Sequence, residues 1–166
     1  NEKNNKSTTI QKYALIILVA WILSNLMRFF LIETVYVEGT SMINTIEPGE
    51  RVVVTKIFEP NKGDIVVAKI PDKMIIKRVI AEEGETLEIK DGVLYLNGEK
   101  QEEKYVELTS EMNLEETVIP EGYYFIAGDN RSNSYDSRHF GPVHRDNIVA
   151  EGIIIFDWFK RFKWIN

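Results

Sequence analysis

The sequence contains no cysteine and only two histidines among its 166 residues. The absence of cysteine excludes disulfides, thiol catalysis and zinc sites built on thiolates. The net charge of −6 disfavours a nucleic-acid partner, because contacts to phosphate need a basic face. The chain is nevertheless 44% hydrophobic and 11% aromatic, which is enough to build a core. Its length suits one compact domain with an appendage.

The longest hydrophobic run, residues 13–32, lies close to the N-terminus. A helix of these 20 residues would be about 30 Å long, which matches the hydrocarbon core of a bilayer. Three lysines precede the run and two glutamates follow it. By the positive-inside rule, we expect a cytoplasmic segment 1–12, a single transmembrane signal-anchor helix 13–32, and an extracytoplasmic domain 33–166 at the plasma membrane.

A cleavable signal peptide and a buried core helix are the two alternatives to a permanent anchor. A signal peptide needs a shorter apolar stretch followed by a small-x-small site, whereas residues 27–32 are bulky throughout. A core helix of a small domain would carry a polar face, whereas this segment is apolar on every side. The pattern therefore favours the anchor over both alternatives.

From Thr34 onward, short β-branched runs broken by turn residues predict a mainly β domain of antiparallel sheet. The pairs Asp91-Gly92 and Asn97-Gly98 are hairpin signals and predict a meander over residues 86–100. The acidic stretch 99–117 is predicted to be an exposed loop, and no further helix is predicted. The other predicted strands are 51–56, 64–70, 74–81, 123–127 and 148–156.

The C-terminal stretch 156–164 interleaves five aromatic residues with three basic ones. It is too short to span a bilayer, but this composition suits the headgroup layer of a membrane. A final strand with a tail packed on the domain is the other interpretation, and the sequence leaves both open.

Ser41 and Lys77 are candidates for a nucleophile and its base. Ser41 follows the turn Gly39-Thr40, and Lys77 lies in the apolar run 74–80. A serine hydroxyl needs a base to become a nucleophile, and a lysine amine can act as one when apolar surroundings keep it uncharged. Because a hydrophobic segment precedes both residues, the expected chemistry is peptide hydrolysis at a membrane surface.

The two candidates also have simpler interpretations. If residues 74–81 form a strand, alternation places Lys77 on an apolar face and Arg78 on the opposite one, where its charge needs a partner. A serine after Gly-Thr is commonly a turn residue, and a lysine in a strand commonly reaches solvent. His139 and His144 leave a Ser-His-Asp arrangement open as well.

A third block joins these two candidates. Residues 128–138 read Gly-Asp-Asn-Arg-Ser-Asn-Ser-Tyr-Asp-Ser-Arg, and Phe-Gly-Pro-Val follows at 140–143. Together with Gly-Thr-Ser-Met at 39–42, Gly-Asp-Ile-Val at 63–66 and Lys-Arg-Val at 77–79, this block resembles bacterial type I signal peptidase in its compact, Gram-positive-like form. The order and spacing of the blocks agree from about residue 37 to 152.

A polar surface loop or a calcium loop could explain residues 128–138 alone, but neither explains the other blocks. The EF-hand spacing also fails, because Arg131 and Ser134 occupy positions that call for a ligand and a glycine. The resemblance implies that Ser41 corresponds to the nucleophile and Lys77 to the general base, with no cofactor and no metal. It also implies that the Ser41 N–H contributes to an oxyanion hole.

The resemblance further implies five supporting residues. Ser134 corresponds to the serine whose hydroxyl orients the lysine amine, and Asp129 corresponds to the partner of Arg78. Asp136 and Arg138 correspond to residues that brace the loop.

The resemblance also implies that substrate pairs with residues 34–40 and 74–76, as an added strand. The contacts expected there are Gly39, Thr40, Ile75 and Ile76. Met42 matches a residue at the membrane surface and is counted with them. The sequence departs from the family pattern Ser-Met-x-Pro-Thr at one position, where Asn44 replaces proline.

The implied function is removal of signal peptides from exported preproteins, in a bilayer and beside the secretion translocon. Two other functions are kept as alternatives: a non-catalytic assembly factor that retains the fold, and a self-cleaving repressor of the SOS type, which also uses serine and lysine. The hydrophobic segment and the lack of a helix-turn-helix pattern oppose the repressor.

Overall fold

The structure begins with one helix that continues directly into a strand. The structure is a computed structural model and describes the backbone of residues 2–107, 109–157 and 161–164. It also describes the side chains of these residues, except those of 2–10, 27–30, 156–157 and 161–163. Helix α1, Glu2–Leu31, is followed at once by strand β1, Ile32–Tyr36. The backbone N–H of Lys56 donates to the Leu31 carbonyl oxygen over 3.0 Å, which fixes the junction of helix and strand. The helix therefore starts earlier than the predicted residue 13.

Every side chain of α1 between residues 11 and 26 is exposed, including the bulky apolar ones. The alternative of a buried core helix is therefore wrong. Within the described part of the chain, no helix is both long enough and apolar enough to cross a membrane. The side chains of Lys3 and Lys6, on which the predicted orientation depends, lie outside the described residues.

Beyond α1, the described residues form two antiparallel sheets, so the prediction of a mainly β fold is confirmed. The strands of the larger sheet, in addition to β1, are β2 (Arg51–Thr55), β3 (Ile65–Ile70), β4 (Lys73–Ala81), β9 (Tyr123–Ala127), β10 (Val143–His144), β11 (Ile148–Asp157) and β12 (Arg161–Trp164). Those of the smaller sheet are β5 (Thr86–Lys90), β6 (Val93–Leu96), β7 (Glu99–Lys100) and β8 (Leu114–Val118). The larger sheet has the order β1-β2-β11-β3-β4-β9-β10 with β12 beside β11, and the smaller has the order β7-β6-β5-β8.

The predicted meander is confirmed as β5-β6-β7. Asp91 and Asn97 adopt left-handed φ values of 49° and 51°, and each is followed by a glycine with positive φ. Two successive left-handed residues are what a tight hairpin turn requires, which is why the Asp-Gly and Asn-Gly pairs were informative.

The prediction of an exposed loop over residues 99–117 is wrong in part. This stretch contains β7 and most of β8, and Asn113 Oδ1 accepts a 2.6 Å hydrogen bond from the Asp91 backbone N–H. The prediction of no further helix is also wrong, since the short helix α2 spans Ser137–Phe140 and a 3₁₀ turn spans Arg145–Asn147.

At the C-terminus, β12 pairs with β11, which agrees with the interpretation of a final strand. Trp158, Phe159 and Lys160 lie outside the described residues, and lipid contact by this stretch stays a prediction.

Strand β4 has two different edges, and this positions the site. It pairs with β3 from Lys73 to Arg78, whereas β9 pairs with it only from Arg78 onward. The first half of β4 therefore keeps one edge open. The core is packed on both sides of this region, with one cluster under β1, β2 and β11 and another between β9 and the smaller sheet.

Candidate active site

The candidate nucleophile lies in a turn that the core holds in place. Ser41 follows an extended segment, and the turn after it is closed by the N–H of Ile46, which donates to the Met42 carbonyl oxygen over 2.8 Å. Met42 and Ile46 are both buried, with exposed fractions of 1% and 0%. Because these two side chains anchor the turn in the apolar cluster, Ser41 has a fixed place at the rim of the core.

Met42 is therefore a core residue, and its expected place at the membrane surface is wrong. A methionine side chain suits either environment, and here it packs with Val37 and Ile46 beneath the turn.

Lys77, on β4, is brought directly to Ser41. Lys77 Nζ donates hydrogen bonds to Ser41 Oγ over 2.6 Å and to the Ile76 carbonyl oxygen over 2.8 Å. Only 4% of Lys77 is exposed. Burial lowers the pKa of its amine to about 8 from the ordinary value of 10.5, the charge of Asp136 opposes this, and that of Lys73 adds to it. An amine with this pKa is partly uncharged near neutral pH and can take a proton from the hydroxyl.

The next residue on β4, Arg78, is brought together with Asp129 in a buried ion pair. Arg78 Nε and Nη2 donate to the two Asp129 carboxylate oxygens over 2.9 and 2.8 Å. Thr45 Oγ1, at the end of the Ser41 turn, donates to the same carboxylate over 2.5 Å. Arg78 Nη1 also donates to the Gly63 carbonyl oxygen over 2.6 Å. This cluster links the strand of Lys77 to the turn of Ser41, so it fixes their separation.

The loop that carries Asp129 also holds the Ser41 backbone. The Asn130 N–H donates to the Ser41 carbonyl oxygen over 3.0 Å, and Asn130 Nδ2 donates to the Thr40 carbonyl oxygen over 3.1 Å. A methyl group at Gly128 would lie 2.5 Å from the Ser41 carbonyl oxygen and 2.3 Å from Ser134 Oγ. The loop therefore approaches the nucleophile turn as closely as a glycine permits.

Asp136 and Arg138 brace the end of this loop. Arg138 Nε and Nη2 each donate to one Asp136 oxygen over 2.8 Å, and the Gly128 N–H donates to Asp136 over 2.9 Å. Asp136 is also the N-cap of α2, where its side chain accepts the Arg138 N–H. Burial alone would raise the pKa of the Asp136 carboxyl, but Arg138 and the Gly128 N–H together hold it below its usual range.

Ser134 lies beside Gly128, but the structure does not give it the bond that the resemblance implies. Its Oγ is buried and forms no hydrogen bond with Lys77 Nζ; it acts instead on the Asp136 carboxyl, whose pKa it helps to lower. The expected orienting bond from Ser134 to the Lys77 amine is thus not formed in this structure. Asn44 Nδ2 is buried without a partner among the described residues. Asn44 itself adopts a left-handed φ of 85°.

A groove runs past the pair. Its walls are formed by residues 35–41 on one side and 73–77 on the other, with Val67, Asn133 and Tyr135. The expected substrate contacts Gly39, Thr40, Ile75 and Ile76 all line it, whereas Met42 does not. Among the described residues, no group of three or more metal-ligating side chains is assembled.

Several residues that connect the site were not predicted from the sequence. Thr45 ends the family pattern Ser-Met-x-Pro-Thr, and Asn130 lies in the block 128–138. Their contacts to Asp129 and to the Ser41 turn were not expected. Glu103 and Tyr105 lie in the acidic stretch and gave no signal at all. Both contact arginines behind the site.

Comparison with known proteins agrees with the geometry. A family model described as signal peptidase, peptidase S26, matches residues 10–158. The chain is 37% identical to signal peptidase I T of Bacillus subtilis, covering 95% of this chain and 91% of that protein. It is 36% identical to the "Probable signal peptidase I-1" of Synechocystis, covering 90% of this chain and 82% of that protein.

A solved structure of a signal peptidase I from Enterococcus faecalis is 32% identical and covers 55% of this chain and 95% of that one, with a TM-score of 0.48. The sequence relatives favour a signal peptidase over an assembly factor or an SOS-type repressor, because they span most of the chain and carry one activity in their names. The chain therefore belongs to the signal peptidase family, peptidase S26, as an enzyme of the type I class.

Proposed function

We propose that this enzyme cleaves signal peptides with Ser41 as nucleophile and Lys77 as general base. The observation that carries the proposal is the 2.6 Å separation of Lys77 Nζ and Ser41 Oγ at a lysine that is almost fully buried. A nucleophile and its base must lie within hydrogen-bond reach, and the base must be uncharged. The distance supports the first condition, and a pKa of about 8 supports the second, because part of the amine is then uncharged near neutral pH.

The proton transfers follow from the contacts of the amine. When the amine is neutral, the hydrogen bond between Lys77 and Ser41 reverses its direction. One N–H still donates to the Ile76 carbonyl oxygen, while the lone pair accepts the proton of the Ser41 hydroxyl. As Oγ attacks the scissile carbonyl, Lys77 takes its proton and then gives it to the leaving amine. Water, deprotonated by Lys77 in turn, hydrolyses the acyl-enzyme and releases Ser41. With a pKa of about 8, about a tenth of the amine is neutral at pH 7.

The substrate would enter the groove as an extended strand. The open edge of the first half of β4 and the segment 35–41 each present backbone groups to it. Val37 and Ile76 give the walls an apolar character, which suits the short uncharged residues before a cleavage site.

We also propose that α1 anchors the domain at a plasma membrane, with residues 33–166 on the extracytoplasmic face and signal peptides delivered by the neighbouring translocon. The support is the set of apolar side chains between residues 13 and 26, which are exposed around the whole helix and have no protein partner there. Such a surface is stable in lipid rather than in water. Anchoring enzyme and substrate in one membrane raises their effective concentration.

Preprotein cleavage by purified variants tests the catalytic assignment. Ser41→Ala and Lys77→Met should each abolish cleavage of a model preprotein in detergent, while circular dichroism shows an unchanged fold. Lys90→Met removes an exposed lysine of the smaller sheet and should cleave at the normal rate. Cleavage at the wild-type rate by either site variant would refute the proposal. Vesicle flotation with and without residues 2–31 tests the anchor separately.

A further inference from the structure

A segment of the acidic stretch, residues 101–107, packs behind the site rather than projecting into solvent; we refer to it as the strap. The Tyr105 ring covers the Arg78 guanidinium, whose central carbon lies 4.1 Å from the ring centroid. The Tyr105 hydroxyl donates to Glu103 Oε1 over 2.9 Å. Glu103 in turn accepts two hydrogen bonds from Arg131, over 3.0 and 2.6 Å. The strap thus contacts one arginine by a ring face and the other by a carboxylate.

These contacts are shielded from water. The side chains of Glu103 and Arg131 are exposed by 10% and 3%, and that of Arg78 by 9%. Burial, with the nearby charge of Glu103, raises the pKa of the Tyr105 phenol, so the hydroxyl keeps its proton and remains a donor. Bidentate and stacked contacts of arginine are stronger in such an environment than at a surface.

Both arginines bind the segment 128–130, which contacts the Ser41 backbone. Arg78 binds Asp129, and Arg131 Nε donates to the Gly128 carbonyl oxygen over 3.0 Å. Within the same segment, Gly128 lies against the Ser41 carbonyl oxygen and Asn130 donates to it. Through Arg78 and Arg131, the strap therefore limits the movement of the Ser41 backbone relative to β4.

We infer that Tyr105 and Glu103 are positioning residues that hold Ser41 and Lys77 at reacting distance. The inference rests on the proposed roles of Ser41 and Lys77. The strap does not line the groove, so its loss should leave substrate binding intact and slow the chemical step. Small displacements of reacting groups lower the rate of the chemical step strongly.

Steady-state kinetics on the full chain in detergent separates this role from a purely structural one. Tyr105→Leu removes the ring from Arg78 and should lower kcat about tenfold while KM stays within about twofold. Tyr105→Phe keeps the ring and should retain kcat within about threefold. Glu103→Gln, which removes the charge facing Arg131 at constant size, should lower kcat about fivefold. Tyr95→Leu is the matched control, since Tyr95 sits in the smaller sheet beneath Lys90 and should leave kcat unchanged.

Three results would overturn the inference: wild-type kcat in Tyr105→Leu, a rise in KM that accounts for the whole loss, or an equal loss in Tyr105→Phe. If Tyr105→Leu does not fold, Glu103→Gln decides, and wild-type kcat in that variant overturns the inference. Ser41→Ala is measured beside them. An inactive Ser41→Ala with fully active strap variants rejects only the strap, whereas an active Ser41→Ala rejects the catalytic assignment itself.

Discussion

Lys77 Nζ and Ser41 Oγ lie 2.6 Å apart, although 36 positions separate the two residues in the chain. The short distance depends on a second link beside it, in which Asp129 binds both Arg78 and Thr45. Each residue of the pair is thus held through a neighbour, one along β4 and one along the Ser41 turn. This double connection keeps the reacting atoms in contact without using the amine itself as a structural anchor.

Cleavage should depend on pH through Lys77. Because burial lowers the pKa of its amine to about 8, the uncharged fraction falls about tenfold for each pH unit below that value. We expect kcat/KM for a model preprotein to rise with pH and to level off above about pH 8. The measurement is a pH–rate profile on the wild-type enzyme with circular dichroism at each pH. A flat profile through this range would mean that no group with this pKa is needed.

Lys77→Met should make the protein more stable while it abolishes activity. The folded-state pKa is below the unfolded one, so between about 8 and 10.5 the unfolded chain binds a proton that the folded chain lacks. The contribution of Lys77 to the free energy of unfolding therefore rises with pH across that window. At pH values below the window, the buried charge lowers the free energy of unfolding by about 3 kcal/mol. Since Lys77→Met also loses two hydrogen bonds, we expect a net gain of about 1–2 kcal/mol at pH 7. Urea unfolding of the wild type and of Lys77→Met, at both ends of this pH window, measures the gain in stability.

The gain from Lys77→Met should shrink as the pH rises from about 8 through 10.5, because above 10.5 wild-type Lys77 is neutral in both states. Lys90→Met serves as the control, since Lys90 is exposed on the smaller sheet and should show no comparable gain. If Lys77→Met is less stable than the wild type at pH 7, burial of the charged Lys77 amine does not destabilise the fold as expected.

Gly128→Ala should separate the loop from the nucleophile turn. The added methyl group would lie 2.5 Å from the Ser41 carbonyl oxygen and 2.3 Å from Ser134 Oγ, so one of them must move. Displacing Ser41 lengthens its distance to Lys77, and we expect kcat to fall at least about a hundredfold. Gly39→Ala is the control for folding. A methyl group at that position meets no atom within 4 Å, so this variant should fold normally. A Gly128→Ala enzyme of normal kcat would show that the loop yields elsewhere.

Position 44 should tolerate substitution by glycine but not by proline. Its φ of 85° is open to glycine, whereas the proline ring fixes φ near about −65°. Asn44→Pro should therefore distort the turn after Ser41 and lower both activity and melting temperature, although the family pattern has proline there. Asn44→Gly should retain activity. Thermal unfolding and preprotein cleavage of the two variants check this, and a fully active Asn44→Pro would indicate that the turn has a second conformation.

Local patterns predicted most strands because β-branched runs and the Asp-Gly and Asn-Gly turns act over a few residues. Strand β8 was missed because its Leu-Glu-Glu-Thr-Val sequence is acidic and lies at a sheet edge, where burial places few demands on the side chains. Helix α2 was missed because four residues are too few for a helical period, and the Asp136 cap rather than periodicity defines it.

For the site, the chemistry of a buried lysine and the matching blocks were enough to bring Ser41, Lys77, Arg78 and Asp129 together. The same signals did not predict the buried position of Met42, because a methionine side chain suits either a core or a surface. Nor were they enough for Tyr105 and Glu103, whose partners are more than twenty positions away and depend on the path of the whole chain.

Adjacent positions of β4 carry two cations with opposite requirements. In the proposed mechanism Lys77 must be able to lose its proton, whereas Arg78 keeps its charge and can therefore hold Asp129 at any pH. Since side chains alternate across a strand, a slip of one residue in the pairing of β3 with β4 would exchange the two. Ser41 would then face a guanidinium that cannot act as a base, in a fold of otherwise similar appearance. Under the proposed roles of Ser41 and Lys77, strand alignment is therefore as much a requirement for catalysis as the identity of either residue.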